Sequence, residues 1–100
     1  MAAQKPNLPP KLAAQIAKAG LPQSGQEPYR PQLVPNRRGQ VVVAKAAVQH
    51  GPKAGKRGWV DDQGRIWIRD YAHAGLPDHW DVQDANGTSY FRVDMGGMII

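Results

Sequence analysis

Hydrophobic and polar residues alternate through the C-terminal part of the chain, which is the pattern of antiparallel strands. The segments GWV and RIWIRD flank the turn DDQG, and the segments HWDVQ and SYFRVD flank the turn DANG. Glycine at the end of each turn favours a hairpin, because glycine adopts the positive φ that tight turns require. A pair of glycines then precedes a last short strand, MII. We therefore predict a small, twisted antiparallel sheet of four or five strands over about residues 57–100.

The N-terminal part shows a helical pattern over one short segment, residues 11–19. Leu12 and Ile16 recur there at i and i+4 among alanines, and Gly20 follows where a helix C-terminal cap belongs. A helix of this length is marginal alone and must pack against the rest of the chain to persist. Residues 21–39 contain four prolines and few apolar side chains, so we predict an extended connector there.

The segment GQVVVAKAAVQHGP, residues 39–52, is ambiguous. Three consecutive valines favour a strand, whereas AKAAVQH favours a helix, and we predict a strand that passes into a helical turn. The fold class is then α+β and mainly β, with the sheet preceded by a short helix and a proline-rich basic segment. We expect residues 1–38 to form a basic linker that contains the helix, and residues 39–100 to form the β domain.

The alternation also sorts the side chains of the predicted sheet into two faces, because successive residues of a strand point to opposite sides. We expect the core to receive Ile66, Ile68, Trp80, Val82, Phe91 and Val93. The outward face then carries Trp67, Arg69, His79, Asp81, Tyr90 and Arg92. This face combines arginines and aromatic rings with an imidazole and a carboxylate.

Composition excludes several classes of protein. The chain has no cysteine, so a disulfide framework, a thiolate zinc site and a thiol nucleophile are all excluded. No apolar run approaches the roughly 18 residues of a transmembrane helix, and the start MAAQKPNLPP has no apolar stretch of a signal peptide. We therefore expect one folded module that does not insert into membranes.

The net charge of +5 conceals a strong asymmetry along the chain. Residues 1–57 contain ten Lys or Arg against one acid, a net charge of +9, whereas residues 58–100 contain three Arg against seven Asp, a net charge of −4. A basic segment beside a carboxylate-bearing module fits a polyanionic substrate that one part holds and the other works on. A solvated basic linker explains the charge equally well.

The segment RDYAHAGLPDHWDVQ, residues 69–83, contains two of the three histidines and three of the eight acids. Cleavage of RNA needs a base for the 2′-hydroxyl, an acid for the leaving oxygen and cations for the developing charge. The candidate catalytic residues are Asp70, His73, Asp78, His79, Asp81 and Arg92. The candidate RNA-binding residues are Lys53, Lys56, Arg57, Arg65, Trp67, Arg69 and Tyr90. We expect His79, which neighbours Asp81 on its strand, to be the acid, and His73 the base.

Other interpretations of the same residues stay open. Asp70 can be a turn residue that bonds its own backbone, and Asp81 can be a cross-strand partner of Arg92. Two histidines six residues apart match no familiar zinc-ligand spacing, so we expect neither a metal nor another cofactor. The alternative function is a non-catalytic nucleic-acid-binding module that uses the basic and aromatic face of the sheet.

The segment RGWVDDQGRIWIRDYAHAGLPDHWDVQ resembles the toxin modules at the C-terminal tips of bacterial polymorphic toxins, in which a histidine turn leads into a His-Trp-Asp-Val strand. The resemblance covers about residues 51–100, and HAGLPDHWDVQ is its specific part. More distantly, the chain is similar to the ribonuclease domain of cloacin and related colicins. The residues that match the pattern of those ribonucleases are Gly64, Arg65, Ile66, Trp67, Asp70 and His73.

The ribonucleases of this pattern pair the aspartate and histidine with a glutamate and a later arginine. No glutamate follows Glu27 here, so the base falls to Asp78, His79 or Asp81, and Arg92 matches the later arginine by position. The resemblance implies a cytotoxic ribonuclease of interbacterial competition that cleaves tRNA or rRNA without a metal.

The same resemblance implies the setting in which the module works. It implies delivery or secretion as part of a larger effector, with action in the cytoplasm of the target cell. A cognate immunity protein is expected, and it should be acidic if it covers a basic cleft. The proline-rich start fits the junction with a long delivery protein, and we expect the module to be a monomer.

Overall fold

The computed structural model describes residues 8–72, 74–84, 86 and 88–100. Its elements are α1 (Pro10–Ala19), β1 (Leu33–Pro35), β2 (Val41–Val43), β3 (Lys45–Ala47), β4 (Arg57–Val60), β5 (Ile66–Asp70), β6 (His79–Gln83) and β7 (Tyr90–Asp94). β1 and β2 form a two-stranded antiparallel sheet, and β3 to β7 form a five-stranded antiparallel sheet in chain order. The predicted α+β, mainly β fold is confirmed, although the larger sheet begins earlier than predicted, at Lys45.

The short helix α1 is docked on the larger sheet. Gly20 caps it in the left-handed conformation, with φ 80°, and donates its N–H to the carbonyl of Ala17, as its place in the sequence predicts. The helix contributes to a core that contains Leu12, Ile16, Leu21, Tyr29, Val43, Trp67, Trp80, Val82 and Val93. A domain boundary at residue 38 stays a prediction, but four of these core residues precede it.

The segment 39–52 forms two strands, and the predicted helical turn is wrong. β2 pairs with β1, and β3 pairs with β4 with Lys45 opposite Trp59. Ala46 and Val48 pack against the side chains of Ile66 and Ile68 on the larger sheet. Burial of these alternate residues requires extended backbone, and this tertiary packing overrides the weak helical preference of the alanines.

The two predicted hairpins are present at β4–β5 and β6–β7. In the first, Gly64 has φ 79° and donates its N–H to the carbonyl of Asp61. The Asp61 carboxylate also accepts the backbone N–H of Gln63 and of Arg65, so the turn is closed by its own side chain. The segment MII forms an isolated bridge at Ile99 instead of the predicted strand.

The register of β5 and β6 corrects the predicted assignment of faces. Trp67 lies opposite Val82 and therefore faces α1, whereas Asp70 lies opposite His79 on the other side of the sheet. The face toward α1, the helix face, carries Trp67, Arg69, Trp80, Val82, Phe91 and Val93. The opposite face, the site face, carries Ile66, Ile68, Asp70, His79, Asp81, Gln83, Tyr90 and Arg92.

In β6 and β7 the residues divide between the two faces as predicted. In β5 the prediction is inverted, because Trp67 lies on the same face as Trp80 and Val82, and Ile66 lies on the opposite face. The error has a physical cause, since both sides of the central strands are covered and all five residues of β6 are buried. Alternation identifies the core face only when the other face meets water.

Candidate functional site

Three of the predicted catalytic residues meet on the site face where β5 ends and β6 begins. Asp70 and His79 are cross-strand neighbours, and Nε2 of His79 lies 3.3 Å from Oδ2 of Asp70. The same nitrogen lies 3.6 Å from Oδ1 of Asp81, two residues further along β6. The pleat of an antiparallel sheet thus brings one imidazole between two carboxylates.

Lys53 reaches this cluster from the loop between β3 and β4. Its ammonium lies 3.2 Å from Oδ2 of Asp81 and 3.6 Å from Oδ2 of Asp70. Burial alone lowers the pKa of Lys53, but hydrogen bonds to Asp81 and Asp70 and their negative charges outweigh it, and the pKa is raised. Lys53, predicted from the sequence only as an RNA-binding residue, is therefore a cation of the cluster itself.

Arg92 completes the cluster from β7. It lies directly opposite Asp81 in the sheet, and its Nε is 3.8 Å from Oδ1 of Asp81. Within the described residues, neither of these two atoms has a hydrogen-bond partner. The pair is thus slightly too long for a hydrogen bond.

The ring of His79 has an oxygen acceptor at each nitrogen. Nδ1 lies 2.8 Å from the carbonyl oxygen of Pro77, which can only accept, so Nδ1 must carry a proton. Nε2 faces the carboxylates of Asp70 and Asp81. The imidazole thus lies between the carbonyl of Pro77 on one side and the two carboxylates on the other.

Burial divides the five residues into an inner and an outer group. The side chains of His79 and Asp81 are 0% and 2% exposed, whereas those of Asp70 and Lys53 are each 24% exposed. The side chain of Arg92 is 39% exposed. A substrate can therefore touch Asp70, Lys53 and Arg92, while His79 and Asp81 support them from beneath.

Asp70, His79 and Asp81 also have the composition of a metal site. Each offers a ligand atom within 4.8 Å of those of the other two. The ammonium of Lys53 lies beside both carboxylates, so a metal cation bound by them would be repelled by its charge. Binding of a metal would require this ammonium to leave.

A family model described as bacterial toxin 37 matches residues 17–97. The chain belongs to this toxin family. The match includes every residue of the cluster, from Lys53 to Arg92, and it confirms the predicted resemblance to a toxin module. No curated protein and no solved structure matches the chain.

The loop between β5 and β6 of the toxin is closed by Asp78. Its carboxylate accepts the backbone N–H of Ala72 at 2.7 Å and Nη2 of Arg69 at 3.0 Å. Asp78 therefore braces the loop and does not join the Asp70 cluster. Ala74 in this loop has φ 48°, a conformation that strains a residue with a side chain. His73 lies outside the described residues, and its catalytic role stays a prediction.

The predicted RNA-binding residues of the toxin divide into two groups. Lys56, Arg57 and Tyr90 are exposed. Arg65 is held by Asp61 and Glu27 in the first hairpin, and Arg69 pairs with Asp78 on the helix face. No helix in the described part of the toxin is long and apolar enough to cross a bilayer.

Trp67 was expected on an outward face, and this expectation is wrong. Its side chain is 0% exposed, and its Nε1 donates a hydrogen bond to Oδ2 of the buried Asp61 at 2.9 Å. The indole also packs edge to face against Tyr29 and Trp80. Trp67 is thus part of the core, and a binding platform of Trp67 and Tyr90 on one face does not exist in the toxin.

The sequence contains only a weak signal for the role of Lys53. The loop KAGKRG is basic and rich in glycine, which suggests phosphate binding in general. Nothing local relates Lys53 to Asp81, because their contact depends on how the β3–β4 loop folds over the site face.

Proposed function

We propose that this toxin is a ribonuclease that cleaves RNA by metal-independent acid-base catalysis. The observation that supports it is the partly exposed carboxylate of Asp70, which lies beside the ammonium of Lys53 and above the buried pair of His79 and Asp81, with Arg92 on the other side of Asp81. A carboxylate base with cations nearby suits attack on a phosphodiester, in which a proton leaves as negative charge develops on phosphorus.

Each residue of the cluster has a role in this proposal. Asp70 takes the proton of the 2′-hydroxyl as the bond from O2′ to phosphorus forms. Lys53 and Arg92 neutralise the charge on the phosphorane oxygens. The bond from phosphorus to O5′ then breaks, and O5′ takes a proton from an acid. The products are a 2′,3′-cyclic phosphate and a free 5′-hydroxyl.

The burial of His79 changes the role that we propose for it. A side chain with 0% exposure does not reach a substrate, so His79 acts as a positioning residue that orients Asp70 through Nε2. Asp81 has the corresponding role toward Lys53 and Arg92. The sequence predicts His73 as the base, but Asp70 takes that role here, so we reassign His73, which follows Asp70 by three residues, to the acid that protonates O5′.

Purified protein incubated with RNA in EDTA tests the proposal. We expect cleavage with cyclic phosphate ends, and Asp70→Asn should lower the rate on the order of 10²-fold or more. Asp62→Asn is the matched control, because it removes the same charge from an exposed turn and should leave the rate unchanged. Intact RNA with the folded parent protein would overturn the proposal, and activity abolished by EDTA would overturn its metal-free part.

We further propose that the toxin is delivered as part of a larger effector and cleaves tRNA or rRNA in the cytoplasm of the target cell. An acidic immunity protein would protect the producing cell, since the chain as a whole carries a net charge of +5. Cells that express the parent should die with degraded RNA, and cells that also express the immunity protein should survive. Death with intact RNA would contradict the choice of RNA as target.

A further inference from the structure

A groove on the helix face lies away from the Asp70 cluster. It has a volume of about 330 Å³ and is lined by Gln15, Lys18 and Ala19 of α1, Lys45 of β3 and Trp59 of β4. Trp59 pairs with Trp67 in the sheet and therefore shares its face. The groove and the cluster are thus on opposite sides of the larger sheet.

The groove is basic, and its cations have no carboxylate partner in the part of the chain that the structure describes. Lys18 and Lys45 are exposed, and Arg57 precedes Trp59 by two residues on β4 and so lies on the same face. None of these three forms an ion pair with a carboxylate of the described residues, whereas Lys53 and Arg65 each do. Their charge is therefore available to an anion from outside.

Trp59 differs from the other two tryptophans in its exposure. Trp67 and Trp80 are buried in the core, but Trp59 is only partly buried and lines the groove. The ammonium of Lys45 lies 4.3 Å from the centroid of the Trp59 ring. A phosphate can draw this ammonium off the ring, because an exposed cation–π contact is weaker than an ion pair combined with a stacked base.

We propose that this groove is a second binding site for single-stranded RNA, in which one base stacks on Trp59 and the adjacent phosphates contact Lys18 and Lys45. Lysines around a partly exposed aromatic ring are the combination that binds single strands without regard to sequence. The inference rests on the proposed function, because it takes RNA as the substrate of the cluster on the opposite face.

The topology of the sheet connects the two sites. β3 is an edge strand of the larger sheet, and the loop that follows it carries Lys53 to the site face. Arg57, where that loop enters β4, lies on the helix face. An RNA strand that passes around the β3 edge therefore meets cations on both faces, and a long substrate should bind more tightly than a dinucleotide.

Tryptophan fluorescence of the Asp70→Asn variant tests the groove without cleavage of the RNA. We expect saturable quenching by a single-stranded RNA of about twenty nucleotides, because Trp59 is the accessible indole. Lys18→Gln and Lys45→Gln should each weaken the binding several-fold. Each should also reduce the slope of log affinity against log salt by about 0.7, the value for one phosphate contact on a single strand.

Arg37→Gln is the matched control, since it removes one positive charge from the exposed turn between β1 and β2 and should change neither quantity. RNA cleavage by the parent with no quenching in the Asp70→Asn variant would overturn the groove and leave the proposed function intact. Quenching without cleavage by the parent would support the groove and overturn the proposed function. Equal quenching by polyglutamate would show a general site for anionic chains and overturn the assignment to RNA.

Discussion

The ammonium of Lys53 lies 3.2 Å from Oδ2 of Asp81, although the two residues belong to a loop and a strand that are distant in sequence. Asp81 is almost fully buried, and a buried carboxylate is tolerated only when cations and hydrogen bonds compensate its charge. Lys53 therefore has two roles, because it stabilises Asp81 and also presents a cation to the surface of the site.

Replacement of Lys53 by glutamine should impair both roles. We expect the rate of RNA cleavage to fall on the order of 10²-fold, the loss usual for one group that stabilises transition-state charge. The free energy of unfolding should fall by about 1–3 kcal/mol, because a buried acceptor loses its charged donor. Lys11→Gln at the exposed start of α1 is the control, and urea unfolding of both variants is the measurement. Parental stability of Lys53→Gln would contradict the ion pair.

The same ion pair predicts how stability responds to alkaline pH. The pKa of Lys53 is raised in the folded protein, and in the unfolded chain it is about 10.4. Below that value both states bind the proton and the stabilisation is complete, whereas it is lost as the pH rises through the raised pKa. The difference in unfolding free energy between the parent and Lys53→Gln should therefore shrink above about pH 10.4. A difference that is equal at pH 8 and at alkaline pH, in urea titrations, would contradict this.

Local sequence chemistry was sufficient to predict the elements whose ends are set by glycine. Gly20 and Gly64 both adopt the positive φ that their positions require. The helix therefore ends at the predicted residue, and the turn of the first hairpin lies at the predicted position. Leu12 and Ile16 also form the buried stripe that their spacing indicates. These features depend on residues close in sequence, so the pattern determines them without knowledge of the tertiary structure.

Features that depend on distant contacts were not predictable in the same way. Ile66 and Trp67 are both apolar and both buried, so the sequence of β5 does not show which residue faces α1. The cluster was predicted in part, because Asp70, His79 and Asp81 all lie in the segment 69–83 that the sequence identifies by its histidines and acids. The contact of Lys53 with Asp70 and Asp81 was not predicted, because it depends on how the loop between β3 and β4 folds over the site face.

Replacement of Trp67 by phenylalanine tests the corrected assignment of faces. The variant loses the hydrogen bond from Nε1 to the buried Asp61, and we expect the free energy of unfolding to fall by about 1–3 kcal/mol. The affinity for RNA should not change, because the ring is in the core. Trp59→Phe is the control, and it should give the opposite result. Its free energy of unfolding should change little, whereas its affinity for RNA should fall. Weaker RNA binding by a stable Trp67→Phe variant would favour the outward position.

Helix α1 either belongs to the core or merely precedes it in the chain. Leu12 and Ile16 are 5% and 1% exposed and share one cluster with Trp67 and Trp80, so each side chain fills space against the sheet. Leu12→Ala and Ile16→Ala should each lower the free energy of unfolding by about 2–5 kcal/mol, the cost of a cavity in a packed core. Lys11→Ala, on the exposed side of the same helix, should change it by less than about 0.5 kcal/mol. Urea unfolding followed by tryptophan fluorescence measures all three variants. If both core variants unfold like the parent, the helix is not docked in solution, and residues 1–38 are the independent linker that the sequence predicts.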